Sequence, residues 1–197
     1  MLKSSDAGVS GISGSLVFSS GTSSKGTSGS FSLSTGQANS GASGSVELLT
    51  GQSTAGDSGS ISLSVGKSTD EIGGSISLGA GLGQAKTGGS ILLTSGGATA
   101  TSSGDIVLKS SNAGTNGITG SLVFTSGTST EGTSGSLALT SGNANSGASG
   151  SVVVTTGGST KGDSGSIALV GGTSTDEIGG MVSVDAGIGT LKTGGSI

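Results

Sequence analysis

The sequence predicts an all-β fold: a flattened parallel β-solenoid (β-helix) with one coil per 15-residue repeat, about 12 coils and no helices. Three observations lead to this prediction. A glycine, usually followed by serine, opens each repeat; two apolar residues flank a variable residue just after it; and a second glycine recurs near the middle of each repeat. Such regular spacing indicates a one-dimensional stack of similar small units.

Each repeat begins at a glycine, which we number position 1. These glycines are Gly14, Gly29, Gly44, Gly59, Gly74, Gly89, Gly104, Gly120, Gly135, Gly150, Gly165, Gly180 and Gly195. The spacing between them is constant except from Gly104 to Gly120, where the repeat is one residue longer than the others. We interpret Asn116, before Gly117, and Ser10, before Gly11, as insertions at a corner, where a coil can bulge without breaking its ladder.

Positions 3 and 5 are apolar in essentially every repeat, whereas position 4 varies. In the repeat that begins at Gly44, for example, Val46 and Leu48 flank Glu47. This period of two is typical of a strand with one buried face, and the abundance of Gly, Ser and Thr argues against helix. We therefore expect positions 3 and 5 to face a dry interior, in coils stacked about 4.8 Å apart.

The remaining positions of the repeat predict its corners. Position 8 is glycine in most repeats, as at Gly21 and Gly36, and predicts a first corner because glycine adopts positive φ at low cost. Position 10 carries only small residues, such as Ser23 and Ala38, so we expect it to point inward. Positions 13 to 15 then predict a second corner, which closes a path of about 50 Å.

A longer repeat is superimposed on the short one. The segment 2–8 returns almost unchanged as 108–114, which defines a 106-residue offset. We therefore divide one continuous solenoid, 1–197, into a first block of seven coils, 2–107, and a second, incomplete block, 108–197. The repeats at the two ends carry no distinct capping sequence, which predicts that the chain is an excerpt of a longer array. The alternative is a complete protein with ragged ends. A flexible Gly/Ser linker is disfavoured because a linker need not keep aliphatic residues at fixed positions.

Composition excludes most chemistry. The 197 residues include no His and no Cys, which predicts no catalytic site, no cofactor and no metal site, so we expect no enzyme activity. The pairs Asp70–Glu71 and Asp176–Glu177 supply too few ligands for Ca²⁺, and Gly158–Gly162 lacks the spacing of a phosphate loop. A net charge of −4 without a basic face predicts no nucleic-acid partner, and the lack of a long apolar run predicts no membrane insertion.

Two surface features are candidates for binding. The first is a lateral contact stripe at position 4, where aliphatic side chains point outward in the predicted register. Its members are Val17, Leu92, Val107, Val123 and Val153. The second is a threonine array at position 11. Its members are Thr54, Thr69, Thr99, Thr130, Thr160, Thr175 and Thr190.

These features resemble two kinds of protein. Threonine columns on short coils resemble the flat ice-binding faces of short-rung β-solenoid antifreeze proteins. The recurring Gly-Ser-Ile-Ser-Leu style of repeat, as at Gly59–Leu63, is similar to the Gly/Ser/Thr-rich tandem-repeat β-solenoid proteins of secreted and surface fibres. The second resemblance implies a fibrous or wall-associated role and supplies no site residues.

We therefore expect a non-catalytic structural segment of a long filament, stalk or surface fibre, located outside the cell or on its surface although no signal peptide is visible. Its expected partners are copies of itself, end to end and, through the stripe, side by side. The alternative is an antifreeze protein whose Thr, Ser and Asn-rich face binds an ice surface. A carbohydrate-degrading β-helix enzyme is disfavoured because such enzymes use longer coils with an acidic and aromatic cleft.

Overall fold

The computed structural model describes residues 1–9, 11–190 and 193–197, and none of these residues lies in a helix or a strand. The chain divides into two compact halves, Met1–Leu93 and Thr94–Ile197. The predicted blocks, 2–107 and 108–197, follow the sequence repeat rather than these halves and stay a prediction. The inserted Ser10 lies outside the described residues.

Each 15-residue repeat that the structure describes in full contains one short bend, at positions 11 to 13, between two irregular stretches. The bends include residues 24–26, 54–56, 130–132 and 160–162. In the 16-residue repeat, a turn at residues 115–116 takes the place of the bend. Each repeat therefore reverses direction at a single point, and that point lies in its second half.

Two glycines close the loop around this bend. The backbone N–H of a position-1 glycine donates to the carbonyl of the position-8 glycine in the preceding repeat. The pairs are Gly89 with Gly81 at 2.9 Å, Gly104 with Gly96 at 2.9 Å, Gly180 with Gly172 at 2.8 Å and Gly195 with Gly187 at 2.8 Å. Because nine extended residues span more than about 25 Å, each bond marks a complete reversal of the chain.

The same close approach occurs where this hydrogen bond is not formed. A Cβ atom placed on Gly29 would lie 3.5 Å from the Cβ of Ser20, and one placed on Gly59 would lie 3.5 Å from the Cβ of Thr50. In both cases a position-1 glycine meets the position-7 side chain of the preceding repeat. At these two glycines a Cβ would make an ordinary contact, so the two arms of the loop lie within van der Waals distance of each other.

The predicted flattened parallel β-solenoid is wrong, because the described residues contain no strand and therefore no stacked coils. A coil needs at least two corners to wind around an interior, and each repeat makes one bend. The predicted corner at position 8 does not form: among the described residues, only Gly11 has a positive φ, at 154°. Where the carbonyl of a position-8 glycine accepts a backbone hydrogen bond, as at Gly81, the donor is the glycine that opens the next repeat. The bond therefore closes the loop between these two glycines.

The predicted dry interior is also wrong, because no described residue is buried. The alternation behind that prediction nevertheless survives as a difference in exposure. Leu16 at position 3 is 49% exposed, Val17 at position 4 is 79% exposed, and Phe18 at position 5 is 61% exposed. Positions 3 and 5 thus share the less exposed side of the backbone, but no second layer covers them.

Candidate functional sites on the repeat

A serine hydroxyl fixes the bend wherever position 10 is serine. In each case the Oγ atom accepts a hydrogen bond from the backbone N–H at position 13. The pairs are Ser23 with Gly26, Ser53 with Gly56, Ser68 with Glu71, Ser129 with Gly132, Ser159 with Gly162 and Ser174 with Glu177, at 2.9–3.1 Å. Short polar side chains stabilise turns by bonding nearby backbone groups in this way.

This bond corrects the prediction that position 10 points inward. Ser23 and its equivalents are exposed, and their hydroxyls serve the local turn rather than a core. This role of the position-10 serine was not predicted from the sequence, although the sequence contains a signal for it. Serine followed three residues later by glycine, as at Ser129 and Gly132, is the pattern that could have identified it.

The 16-residue repeat makes its bend by a different bond. Ala113 occupies position 10 and has no hydroxyl, and here the Gly117 N–H donates to the Gly114 carbonyl at 3.2 Å. The inserted Asn116 lies inside this four-residue turn, next to Thr115. An i to i+3 backbone bond is the usual closure of a β-turn. The extra residue thus accompanies a backbone-closed turn in place of a serine-closed bend.

The two acidic pairs lie in bends of the serine-closed type. The N–H of Glu71 donates to Ser68, and the N–H of Glu177 donates to Ser174. No group of three or more His, Cys, Asp or Glu side chains within the described part of the chain could hold a metal ion. The ion pair of Lys3 with Asp6, at 3.0 Å, is exposed. A pair of this kind contributes at most about 1 kcal/mol to stability.

The seven threonines of the predicted array all occupy the first residue of a bend, and all are exposed. Each belongs to a different repeat and hence to a different loop. Residues 54 and 69, for example, begin successive bends in the first half of the chain. No sheet supports them as a flat surface in the described structure, and their role in binding stays a prediction.

Apolar side chains of successive repeats approach one another at positions 3 and 5. The rings of Phe18, at position 5, and Phe31, at position 3 of the next repeat, have centroids 6.3 Å apart and are tilted by 36°. In the second half of the chain, Phe124 and Leu137 occupy the same two positions, 5 and 3, of successive repeats. Together with Ala138 and Leu139 they line an open depression of about 290 Å³. This depression was not predicted from the sequence, because these side chains were expected to be covered.

The side chains of the predicted contact stripe are exposed. Val153, at position 4, is 73% exposed, whereas its neighbours Val152 and Val154 are 50% and 63% exposed. The other members of the stripe are likewise more exposed than the residues on either side of them. The structure therefore leaves two apolar surfaces uncovered, the stripe at position 4 and the face formed by positions 3 and 5.

Comparisons with protein-family models, with curated proteins and with solved structures found no match for this chain. The described residues include no helix that is both long enough and apolar enough to cross a membrane.

Proposed function

We propose that the chain is a non-catalytic structural segment of an extracellular or surface filament, stalk or fibre, and that its copies associate with one another. One observation carries the proposal: the same closed loop recurs along the chain while the large apolar side chains of the described residues stay exposed. A regular succession of equivalent loops presents equivalent surfaces at regular intervals, as repeat proteins do. Association between copies would bury the apolar side chains that a single chain leaves exposed.

The exposed area supports this proposal. The chain exposes 19306 Å², whereas a compact monomer of 18.0 kDa exposes about 8000 Å². A stable protein–protein interface buries about 1600 Å² in total. The excess is therefore several times what one interface requires. Because apolar burial contributes about 25 cal/mol per Å², contact with further chains is the available source of stabilisation.

The backbone gives a second line of support. Backbone-to-backbone pairing in the described residues is confined to the loop closures, such as Gly89 with Gly81, and the turn at Gly117. A globular protein makes about one internal hydrogen bond per residue. Stretches of unpaired N–H and C=O groups pair readily with another chain. The irregular stretches between the bends can therefore contribute polar as well as apolar contacts to an assembly.

Electrostatic repulsion between copies is weak. The chain has seven Lys or Arg and 11 Asp or Glu residues, and its net charge is −4. These charges are spread among many neutral Gly, Ser and Thr residues. A small net charge favours association, and the assembly should depend only weakly on salt.

Sedimentation velocity and negative-stain microscopy of the purified chain test the proposal. Over a rising concentration series, we expect discrete assemblies that lengthen into uniform filaments. Added salt should change the onset concentration only slightly, because few charges must be screened. A chain that stays monomeric throughout the series would contradict the proposal.

Ice binding is a second candidate, and one observation favours it. Every threonine of the predicted array is exposed at the first residue of a bend, where it is free to meet a surface. The structural role explains more of the molecule, because it also accounts for the exposed apolar side chains. Thermal hysteresis distinguishes the two candidates.

A further inference from the structure

We infer that the copies associate through the face formed by positions 3 and 5, and that a second copy of this chain covers that face in a register that matches repeat to repeat. We call this surface the apolar face. Its members include Leu16, Phe18, Phe124, Leu137, Leu139, Val152 and Val154. The inference rests on the proposed self-association and assigns the surface that performs it.

Continuity along the chain distinguishes the apolar face from the stripe at position 4. Positions 3 and 5 are apolar in every numbered repeat, whereas position 4 is interrupted by polar residues. These are Ser32, Glu47, Ser62, Ser77 and Ser183. A contact that recurs along a repetitive chain needs a surface present in every repeat. An apolar partner that bridged Glu47 would also have to desolvate a carboxylate, which is costly without a counter-charge.

The apolar face is open within the chain itself. Leu93 at position 5 is 62% exposed, and the depression between Phe124 and Leu137 is about 290 Å³ in volume. A cavity of about 150 Å³ accommodates a benzene molecule, so this depression is large enough to accept an apolar side chain from a partner. It is lined by Phe124, Leu137 and Leu139 of the apolar face and by Ala138 at position 4.

The exposed area and the repeat identify the partner as a second copy. The excess of exposed surface over a compact monomer, about 11000 Å², leaves ample area for an interface of the usual size of about 1600 Å². An identical chain carries the same alternation of aliphatic residues and the same low charge, and self-complementary contacts of this kind are usual in homo-oligomers.

The register between two copies follows from the one repeat whose length differs from that of the others. Two parallel copies shifted by a single ordinary repeat fall out of step at the 16-residue repeat that contains Asn116. Copies aligned without a shift, or shifted by the 106-residue offset, keep matching repeats together through this insertion. The unshifted alignment therefore matches every repeat with its equivalent, whereas the 106-residue shift pairs residues 1–91 with 107–197 and leaves 92–106 uncovered.

Two pairs of neighbouring residues test the surface with matched chemistry. Val153→Lys and Val154→Lys introduce the same change at positions 4 and 5 of one repeat, and Leu92→Lys and Leu93→Lys do so in the other half of the chain. None of these side chains is buried, so none of the changes removes a core contact. The readout is the concentration at which the full-length chain begins to assemble, measured by sedimentation.

We expect Val154→Lys and Leu93→Lys each to raise the onset concentration about tenfold or more, because each places a charge where an apolar contact should form. Val153→Lys and Leu92→Lys should change it less than about threefold. Equal effects, or larger effects at position 4, would overturn the assigned surface and leave self-association intact. A wild-type chain that never assembles would overturn both the assigned surface and the proposed self-association.

The register is tested separately. Because the chain has no cysteine, Ser77→Cys supplies a single attachment point for a spin label. Unshifted copies would bring labels at residue 77 together along the assembly, and strong spin–spin broadening is the expected result. A 106-residue shift would instead bring residue 77 of one copy next to residue 183 of another. It is tested by mixing two singly labelled variants, Ser77→Cys and Ser183→Cys, and broadening in that mixture is the expected result for this alignment. Loss of broadening in both experiments would overturn the proposed register.

Discussion

The N–H of Gly89 lies 2.9 Å from the carbonyl oxygen of Gly81 and donates to it across a closed loop. The loop is tight: a Cβ atom placed on Gly83 would collide with the carbonyl oxygen of Lys86 and lie 2.7 Å from that of Thr87. Real Cβ atoms do not approach backbone atoms this closely. The element that repeats along this chain is therefore a glycine-closed loop with one bend.

Serine at position 10 should protect the N–H at position 13 from exchange with solvent. Ser129→Ala removes the hydroxyl that accepts from Gly132, and we expect a local loss of about 1 kcal/mol, or about fivefold faster exchange at that amide. Ala144→Ser is the reciprocal change. It should slow exchange at Gly147, the equivalent amide of the next repeat. Hydrogen exchange followed by NMR measures both, and unchanged rates in both variants would contradict the serine-closed bend.

Glycine at position 1 should matter most where the backbone is closest. In Gly180→Ala the new Cβ would lie 2.8 Å from the nitrogen of Gly172, and it cannot be accommodated by rotating a side chain. We expect this change to break the bond between the Gly180 N–H and the Gly172 carbonyl, at a cost of about 1 kcal/mol. The measurement is amide exchange at residue 180.

Gly44→Ala is the matched control for that change, because it alters the same position of another repeat. Its new Cβ would lie 3.7 Å from the nearest side-chain atom of Thr35, which is an ordinary contact. Amide shifts should therefore change only next to the substitution. Equal disturbance by the two variants would show that the close approach at Gly180 has no special role.

Deletion of Asn116 should remove the backbone-closed turn. Without this residue the repeat has the usual length, but Ala113 cannot supply the hydroxyl that other repeats use. We expect the deletion alone to accelerate exchange at the amide of Gly117, which donates to Gly114 in the intact chain. Adding Ala113→Ser should restore protection by closing the bend through serine. Failure of this rescue would mean that the two kinds of closure are not equivalent.

Ice binding should be absent if the role is structural. We expect the purified chain to show neither thermal hysteresis nor ice shaping, because the array threonines lie in separate loops without a supporting sheet in the described part of the chain. The matched variants are Thr160→Val, within the array, and Thr155→Val, outside it. Hysteresis that Thr160→Val reduces and Thr155→Val does not would favour the antifreeze alternative over the structural one.

The period-two pattern allowed one part of this structure to be predicted and misled on another. Side chains at positions 3 and 5 do share the less exposed side of the backbone, as Val152 and Val154 show beside Val153. The alternation does not show whether anything covers that side, because the same period-two pattern is compatible with a buried core and with an exposed face. The serine-closed bend could have been predicted, since Ser129 and Gly132 have the spacing that such a turn requires.

The repeat length, the site of the insertion at Asn116 and the alternation of aliphatic with variable residues can all be read from the sequence. The number of turns in each repeat and the hydrogen-bond partners of its carbonyl groups become visible only in the folded chain. Glycine at position 8 permits a corner but does not require one, because its backbone is free to adopt either sign of φ. The bond between Gly81 and Gly89 therefore closes a loop that the sequence had led us to expect as part of a coil.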